Sequence, residues 1–531
     1  MPKVLVDVDR PHDVVFDDAA LRQAASRALQ VPASAIVNVR VARQALDARK
    51  RRRVPTYLLT LEVETSQDVS KRAQARPAPP PSQRLESPRA PKDAPPIVVV
   101  GAGPAGAFAA WHLAEHGAKV IWVERGKPVE TRARDFGRFR GRGILDPESN
   151  LCFGEGGAGT YSDGKLTCRK NDPVVQEVLE RLVEVGAPER ILVDKKPHIG
   201  TNLLFRVLKG LRAQLVECGV DIHFETRLER LRLQDRRVTG VDTSRGQLDA
   251  PHVLLAIGHS ARDTYETLHA QGVPMIAKPF AVGVRAEHPQ PMIDRAQYNL
   301  RKPPRPSTLP AADYRLAERV DGVGVYSFCM CPGGMIVPTA TEPEMVVVNG
   351  MSSARRSTPF ANSGVVVEVS VDRIREEGHG DDGLAGVRFQ RALERRAYEV
   401  GGGDYRAPAM RVSDFVARRP TGRLADSNFR PGLTAVDLDE ALPPFVAASL
   451  RTALGTFDRR IRGYATTEQA NLIAVESRTS SPLRIPRDNV TCSVEGFEGL
   501  YVAGEGPGYA GGIMSAAVDG LKVAHQILCN L

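Results

Sequence analysis

Gly101, Gly103 and Gly106 stand in G-x-G-x-x-G spacing, with Ala102, Pro104 and Ala105 completing the turn and Glu124 following downstream. Those residue types at that spacing can hold a dinucleotide. Gly101 permits a tight turn, Gly103 lets backbone approach a pyrophosphate, and Gly106 lets a helix pack close to the preceding strand. The phosphates would sit at the helix N-terminus, where free N–H groups and the helix dipole attract anions. Glu124, with Arg125 beside it, lies about 20 residues on, where a carboxylate can hold ribose hydroxyls. The elements that must position these residues are legible around them. Residues 97–100 are a β-branched run suited to a buried parallel strand, and residues 120–123 are a second strand ending at the acid.

At the far end of the chain, residues 499–521 read GLYVAGEGPGYAGGIMSAAVDGL. An apolar strand over 500–503 runs into Gly504 and Glu505, and a glycine turn with Gly511 and Gly512 opens a helix at Ile513. This resembles the C-terminal flavin motif of Rossmann-type FAD proteins. The resemblance implies that Glu505 meets the ribityl chain and that Gly512 and Ile513 meet the flavin pyrimidine. There the helix dipole stabilises negative charge on the reduced ring. Many such proteins carry Asp at this position, and Glu505 is one methylene longer. Between the two ends, residues 226–241 read as two strands around Asp235-Arg236. A further apolar strand, 253–257, ends at Gly258 and His259, where a strand would cross beneath the cofactor. Outside the C-terminal flavin motif, no second G-x-G-x-x-G has strand and helix around it. A dedicated NAD(P)H domain is therefore not expected, and NAD(P)H is left as a transient electron donor over the flavin.

Residues 150–167, NLCFGEGGAGTYSDGKLT, crowd Gly154, Gly156, Gly157 and Gly159 too closely for a helix or regular strand. Such a loop can press backbone against a ring or phosphate, with Gly157 in contact and Ser162, Asp163 and Lys165 adding polar groups. Arg125 to Arg142 holds six Arg and one Lys and reads as a charge-rich loop, steering anionic substrates or simply solvated. The catalytic acid or base is not fixed by sequence; the candidates are Lys165, His259 and Arg484. Arg478 and Arg484 bracket TSSPLRIP, and either can hold a substrate carboxylate or the flavin carbonyl edge. Cys329 and Cys331 in FCMCPGG would face one side of a strand, as structural thiols or as a flavin-coupled pair. Arg285, Glu287 and His288 read as a domain-interface salt-bridge cluster. No metal site is expected, since no C-x-x-C or nearby His completes a tetrahedral set.

The chain has 531 residues, seven cysteines at irregular spacings and a formal charge of +9. That length suits two or three domains, and free thiols point to the cytoplasm. The N-terminus is charged from the start, so no signal peptide is expected, and no apolar run is long enough for a membrane span. Residues 1–92 carry 17 Lys and Arg against 10 Asp and Glu. Part of that excess lies in Arg49-Lys50-Arg51-Arg52-Arg53, placed on a hairpin between strands. The cluster can be a nucleic-acid patch, but without interleaved aromatics a solvated loop or a clamp on the neighbouring domain is favoured. The expected partition is a small basic α+β (ferredoxin-like) domain over 1–70, with strands at 4–8, 36–42 and 57–63 and a helix over 18–29. A Pro-rich, extended and poorly ordered linker covers 71–95. An α/β Rossmann-type FAD-binding domain covers 96–272 and 479–531, with an inserted α+β substrate or cap domain over 273–478.

GAGPAG…VER, NLCFGEGGAGTYSDGKL, AIGHSARDT, KPFAVGVRAEHPQ, SPLRIPRD and the C-terminal glycine motif together resemble the uncharacterised FAD-dependent dehydrogenase family. These are large bacterial flavoproteins with relatives in plastids. The SLDARKK-like element of that family is similar to Ala45-Leu46-Asp47-Ala48-Arg49-Lys50 here. The fold is also similar to geranylgeranyl-reductase-like flavoproteins, where an inserted domain sits over the flavin. The resemblance implies FAD and a redox role with a small-molecule substrate, and leaves substrate, acceptor and oligomeric state open. Hydride exchange at flavin N5 is the leading expectation, with reduction of C=C bonds in hydrophobic substrates as a sharper form. An RNA-binding flavoprotein and a flavin monooxygenase are the alternatives.

Overall fold

The computed structural model describes residues 3–14, 17–49, 54–69, 74–78, 84–168, 172–301 and 304–531. The first element is a small sheet in which Lys3–Pro11 lies between Thr56–Thr65 and Arg76–Pro77, with Ile36–Asp47 on the outer side of Thr56–Thr65. Helix Asp18–Leu29 packs Leu21, Ala25 and Leu29, an i, i+4, i+8 stripe, against it. Asp17 caps that helix by accepting the Ala20 N–H at 2.7 Å. The helix coincides with the sequence reading, and the strands run several residues longer. Of the basic hairpin, Arg49 pairs with Asp47 at 2.6 Å, and Lys50–Arg53 lie outside the described residues.

This unit is docked on the rest of the chain. Gln44 exchanges backbone bonds with Val193 and Lys195 at 2.8 Å, and Tyr57 and His12 both reach Thr308. The linker differs from expectation over 84–95. Leu85 N–H donates to buried Glu177 at 2.8 Å, and Ser87 sits between His112 and His525 at 2.7 and 2.8 Å. Ala90 N–H donates to the His116 carbonyl at 2.8 Å. Prolines keep the segment extended, yet its free donors find acceptors on the helices beneath, so it is strapped down. Residues 71–73 and 79–83 of the linker lie outside the described residues.

The central sheet is parallel, in the order Leu500–Val502, His252–Leu255, Ile97–Val100, Val120–Val123, Asp221–His223. Its three middle strands are short apolar runs because both faces are covered. Helices Pro104–Glu115 and Ile513–Asn530 lie together on one face, and Ala105, Ala109, Ala517 and Ala524 let them approach closely. An antiparallel meander, Leu228–Gln234, Arg237–Thr243 and Gly246–Asp249, covers the other face with Leu231, Val238 and Val241. The turn of the meander falls at Asp235-Arg236, both at positive φ.

A second, seven-stranded sheet is centred on Phe280–Pro289, Phe360–Val369 and Asn471–Glu476. Helices Ala385–Gly401 and Pro444–Arg460 pack on it and close the largest hydrophobic core. The chain enters this body after the helix Arg262–Ala270 and leaves it after Asn471–Glu476, so the strands bearing the glycine turns stay adjacent.

Candidate functional site

Three turns leave the carboxyl ends of three neighbouring parallel strands, which is where open α/β sheets bind ligands. The turn after Val100 holds Gly101, Ala102 and Gly103, and the helix starts at Pro104. A Cβ on Gly101 would collide with the Ala256 carbonyl, and one on Gly106 with the Gly101 carbonyl, so two glycines serve close packing. The turn after Leu255 holds Gly258, fixed by the Tyr265 hydroxyl donating to its carbonyl at 2.7 Å. The turn after Val502 holds Gly504 to Gly512 and delivers helix Ile513–Asn530. It touches both others: a Cβ on Gly504 would lie 2.8 Å from Ala105 Cβ, and one on Gly506 would lie 2.6 Å from the Gly258 carbonyl.

Where glycine is not needed for packing, it leaves backbone uncovered. A Cβ placed on Gly103, Gly258, Gly511 or Gly512 would meet no protein atom within 4 Å. These four open positions lie at the three converging turns and beside two helix N-termini. That cradle fits a flavin dinucleotide.

Glu124 is 6 % exposed, and its carboxylate accepts from Ala102 N–H at 2.7 Å and from Gly126 and Gly154 N–H at 2.8 Å each. It therefore ties the glycine turn to the loop over it. Arg125 has a partner set of its own. It makes a bidentate pair with Glu148 at 3.0 Å, a second with Asp263 at 2.8 and 2.9 Å, and stacks over Phe153. Those contacts clamp the strand end to the helix after His259.

The glycine loop lies directly on the first turn. Gly156 N–H donates to the Ala102 carbonyl at 2.7 Å, and a Cβ on Gly157 would lie 3.1 Å from Gly103 Cα. Its organiser, which sequence reasoning missed, is Arg132. The stretch read as a solvated or steering loop is a helix over Val129–Arg142. Val129, Arg132, Phe136 and Phe139 occupy its buried face, a helical spacing that was the available signal. The fully buried Arg132 guanidinium donates to the carbonyls of Asn150 (2.8 Å), Leu151 (2.5 Å), Gly154 (3.3 Å), Glu155 (2.5 Å) and Gly157 (2.8 Å) and to Thr160 Oγ1 (2.9 Å). Five inward carbonyls replace a counter-carboxylate.

The three catalytic candidates fall in two places. His259 Nε2 lies 3.9 Å from Glu505 Oε1, beside the C-terminal turn. Burial pushes the His259 imidazole down to about 4, and burial pushes the Glu505 carboxyl up to about 7 against Lys278. Arg484 is exposed and donates to the Gly508 carbonyl at 3.2 Å. Lys165 instead faces the second sheet. It pairs with Asp163 at 2.9 Å, bonds the Met330 carbonyl, and Asp163 is shared with Arg356 and Ser352. Burial works against the Asp163 anion, but Lys165 and Arg356 hold it at about 2.

Cys329 and Cys331 do not follow plain strand alternation. A bulge separates Phe328 from Cys331, Cys329 has φ 42°, and the Cys331 thiol donates to the Cys329 carbonyl at 3.2 Å. Cys329 is exposed and Cys331 buried, and burial pushes the Cys331 thiol up against the pull of Lys165 and Arg285. All seven cysteines are free. Among the described residues no group of His, Cys, Asp or Glu has metal-binding geometry.

The Arg285 cluster is a correction. Arg285 pairs with Glu476, at 2.5 and 2.9 Å, on the adjacent strand of the second sheet and not across a domain interface. Gly350 leaves room for the guanidinium, since a Cβ there would collide with it. His288 bonds the Tyr464 carbonyl at 2.8 Å. Glu287 is 1 % exposed. Burial pushes it up to about 7 against the pull of nearby Ser427 and Asn428. A carboxyl raised in the folded state is neutral there, so folding takes up a proton and stability falls as pH rises from its unfolded value toward 7. Glu287→Gln is therefore expected to gain stability over the parent chain between pH 4.5 and 7, the gain levelling above. Urea unfolding across that range reads it; a pH-independent difference would place Glu287 in an ion pair.

Arg478 is likewise committed. It pairs with fully buried Glu394 at 2.9 and 3.1 Å, and Arg262 holds the same carboxylate at 2.7 and 2.9 Å. It therefore joins the two bodies and does not reach for a ligand.

Comparison with known proteins agrees with the cradle. Residues 96–187 match the family model "FAD dependent oxidoreductase", residues 279–479 match "FAD-dependent protein, C-terminal domain-like", and residues 1–64 match a domain of unknown function. An uncharacterized protein of Clostridium beijerinckii is 44 % identical over 438 residues, covering 81 % of this chain and 80 % of its own length. Glycine oxidase from Bacillus cereus aligns over 82 % of this chain and 96 % of its own at 12 % identity, TM-score 0.31. L-proline dehydrogenase from P. horikoshii aligns over 83 % and 94 % at 12 % identity, TM-score 0.31. No helix among the described residues is long and apolar enough to cross a membrane. The chain belongs with its Clostridium relative to the FAD-dependent dehydrogenase family that its motifs resemble, and it is an FAD-dependent oxidoreductase.

Proposed function

We propose that the chain is a dehydrogenase or reductase that exchanges a hydride between flavin N5 and a small molecule, with NAD(P)H as electron donor. The observation carrying this reading is the set of uncovered glycines, Gly103, Gly258, Gly511 and Gly512, at three converging turns. Bound FAD supplies a ring that accepts a hydride and returns two electrons. The chain supplies placement and charge. The N-terminus of helix Pro104–Glu115 holds the pyrophosphate, and Glu124 fixes the loop that covers it and takes the ribose hydroxyls still within reach. The N-terminus of helix Ile513–Asn530 faces the pyrimidine edge. Glu505 Oε1 and His259 Nε2 hold or release the proton that accompanies hydride transfer, one being poised near neutrality and the other neutral.

Residues 96–272 with 479–531 act as the FAD-binding part and 273–478 as the cap. The N-terminal unit is ferredoxin-like in strand order, and its contacts through Gln44, Tyr57 and His12 make it a brace across both. Anaerobic mixing of the flavin-loaded protein with NADH and NADPH tests the reading. Bleaching of the oxidised flavin band near about 450 nm is the expected outcome. A loaded flavin that neither nucleotide bleaches would exclude nicotinamide as donor. A folded chain that takes up no FAD would overturn the reading itself.

A further inference from the structure

Two cations, Lys278 and Arg484, meet at the C-terminal glycine turn. The short antiparallel pairing of Ile276 with Arg484 and Ala277 with Leu483 sets Lys278 and Arg484 on the same turn. A Cβ on Gly508 would lie 3.4 Å from Lys278 Cδ and 3.5 Å from Arg484 Cα. Arg484 bonds the Gly508 carbonyl at 3.2 Å, and its guanidinium lies 4.9 Å from the Tyr509 ring centre. Among the described residues, neither side chain lies in an ion pair. The contrast with their neighbours is sharp: Arg487 pairs with Asp519 at 2.6 Å, and Arg478 pairs with Glu394 at 2.9 Å. Burial and the charge of Arg484 both push the Lys278 ammonium down, and Glu505 only partly offsets them. Like charges held together, with one acid that only partly offsets them, raise the energy of the free protein, and an arriving anion lowers it.

Position and topology say which anion. The pair flanks Gly508, on the turn that holds Gly506 against Gly258 and carries the uncovered Gly511. Arg484 is exposed and Lys278 half-buried, so the site opens at the rim of the cleft. G-x-G-x-x-G occurs at 101–106 and again at 506–511, each between a strand and a helix, and the flavin reading uses both of those helix N-termini. A second dinucleotide has no such terminus for its phosphates and must find charge on side chains.

We propose that Lys278 and Arg484 form an anion site that takes the phosphate groups of a dinucleotide reductant presented to the flavin. This rests on the flavin reading above. The test is calorimetric titration of inorganic pyrophosphate into the FAD-loaded protein, with succinate as the carboxylate control, repeated on Lys278→Met and Arg484→Met. Pyrophosphate affinity is expected to fall at least tenfold in each variant and with added salt, while flavin content is unchanged. Equal affinity in parent and variants overturns the site. Succinate binding as tightly as pyrophosphate, and weakening in the same variants, overturns the assignment to phosphate. A chain that loads no FAD fails the flavin reading separately, since heat of pyrophosphate binding and its loss in the variants are still read without the flavin.

Discussion

Glu394→Gln is expected to cost about 3–5 kcal/mol of stability, the loss seen when one member of a buried ion pair is removed. Glu394 is fully buried and neutralises two guanidiniums, Arg262 and Arg478, which lie before and after the strands Phe280–Pro289 to Asn471–Glu476 in the chain. Ser477 Oγ donates to the same carboxylate at 2.6 Å, and Gln390 bridges Arg262 to the Ser477 carbonyl. Burial disfavours the anion, but Arg262 and Arg478 hold the carboxyl well below its usual range. Its contribution is therefore present above the unfolded carboxyl pKa and is lost as pH falls below it. Glutamine keeps the shape and leaves two buried positive charges uncompensated. Urea unfolding of the parent and variant at pH 7 reads the loss. A change below about 1 kcal/mol would equate this clamp with an exposed surface pair and remove it from the account. The clamp also bears on the cleft, because Arg478 bonds Ser260 at 3.2 Å, next to His259. Loosening it is expected to disturb the His259–Glu505 pair along with the docking of the two bodies.

Local signals carried much of the fold and stopped where partners are remote in sequence. The first strand, glycine turn, helix and second strand were legible because each is short, contiguous and constrained by its own composition: Ile97–Val100 and Val120–Val123 appear where the apolar runs lie. The helix Asp18–Leu29 was legible from its apolar spacing and Asp17. The C-terminal turn was legible because glycine density and a helix of small residues follow an apolar strand. Glu394 was not, because nothing near it in the chain distinguishes it from a surface helix acid; its partners are 132 and 84 residues away. The linker was misread because Pro, Ala and Ser composition reports a lack of regular structure, not a lack of docking. Lys278 gave no sequence signal, since its significance lies in the remote Arg484 that strand pairing brings beside it. Arg285 was placed at an interface because the register linking it to Glu476, 191 residues on, is set by strand order.

Arg132→Lys is expected to weaken FAD binding by two orders of magnitude or more while leaving a folded chain. A lysine brings three donors on a point charge, against the six acceptors that the Arg132 guanidinium now serves. Carbonyls that lose their donor in a buried place cost about 1–3 kcal/mol each, and the loop can recover that by turning them toward water. Turning them dismantles the loop, because Gly154, Gly156 and Gly157 are held against the first glycine turn by that arrangement. Residues 154–157 would then no longer meet Ala102, Gly103 and Glu124, and the wall over the pyrophosphate cradle opens. The damage is local, since the parallel sheet and the cores on both its faces contain none of these atoms. Equilibrium dialysis against FAD, with far-ultraviolet circular dichroism as the check on folding, separates the two effects. A folded Arg132→Lys protein retaining FAD with parental affinity would mean that the loop makes no contact with the dinucleotide. Arg132→Met, which removes the charge altogether, is expected to lose FAD and to melt at lower temperature. Recovery of flavin content at high FAD in the lysine variant and not in the methionine variant would show that a cation at this point still gathers the carbonyls, and that their direction decides how tightly the cradle closes.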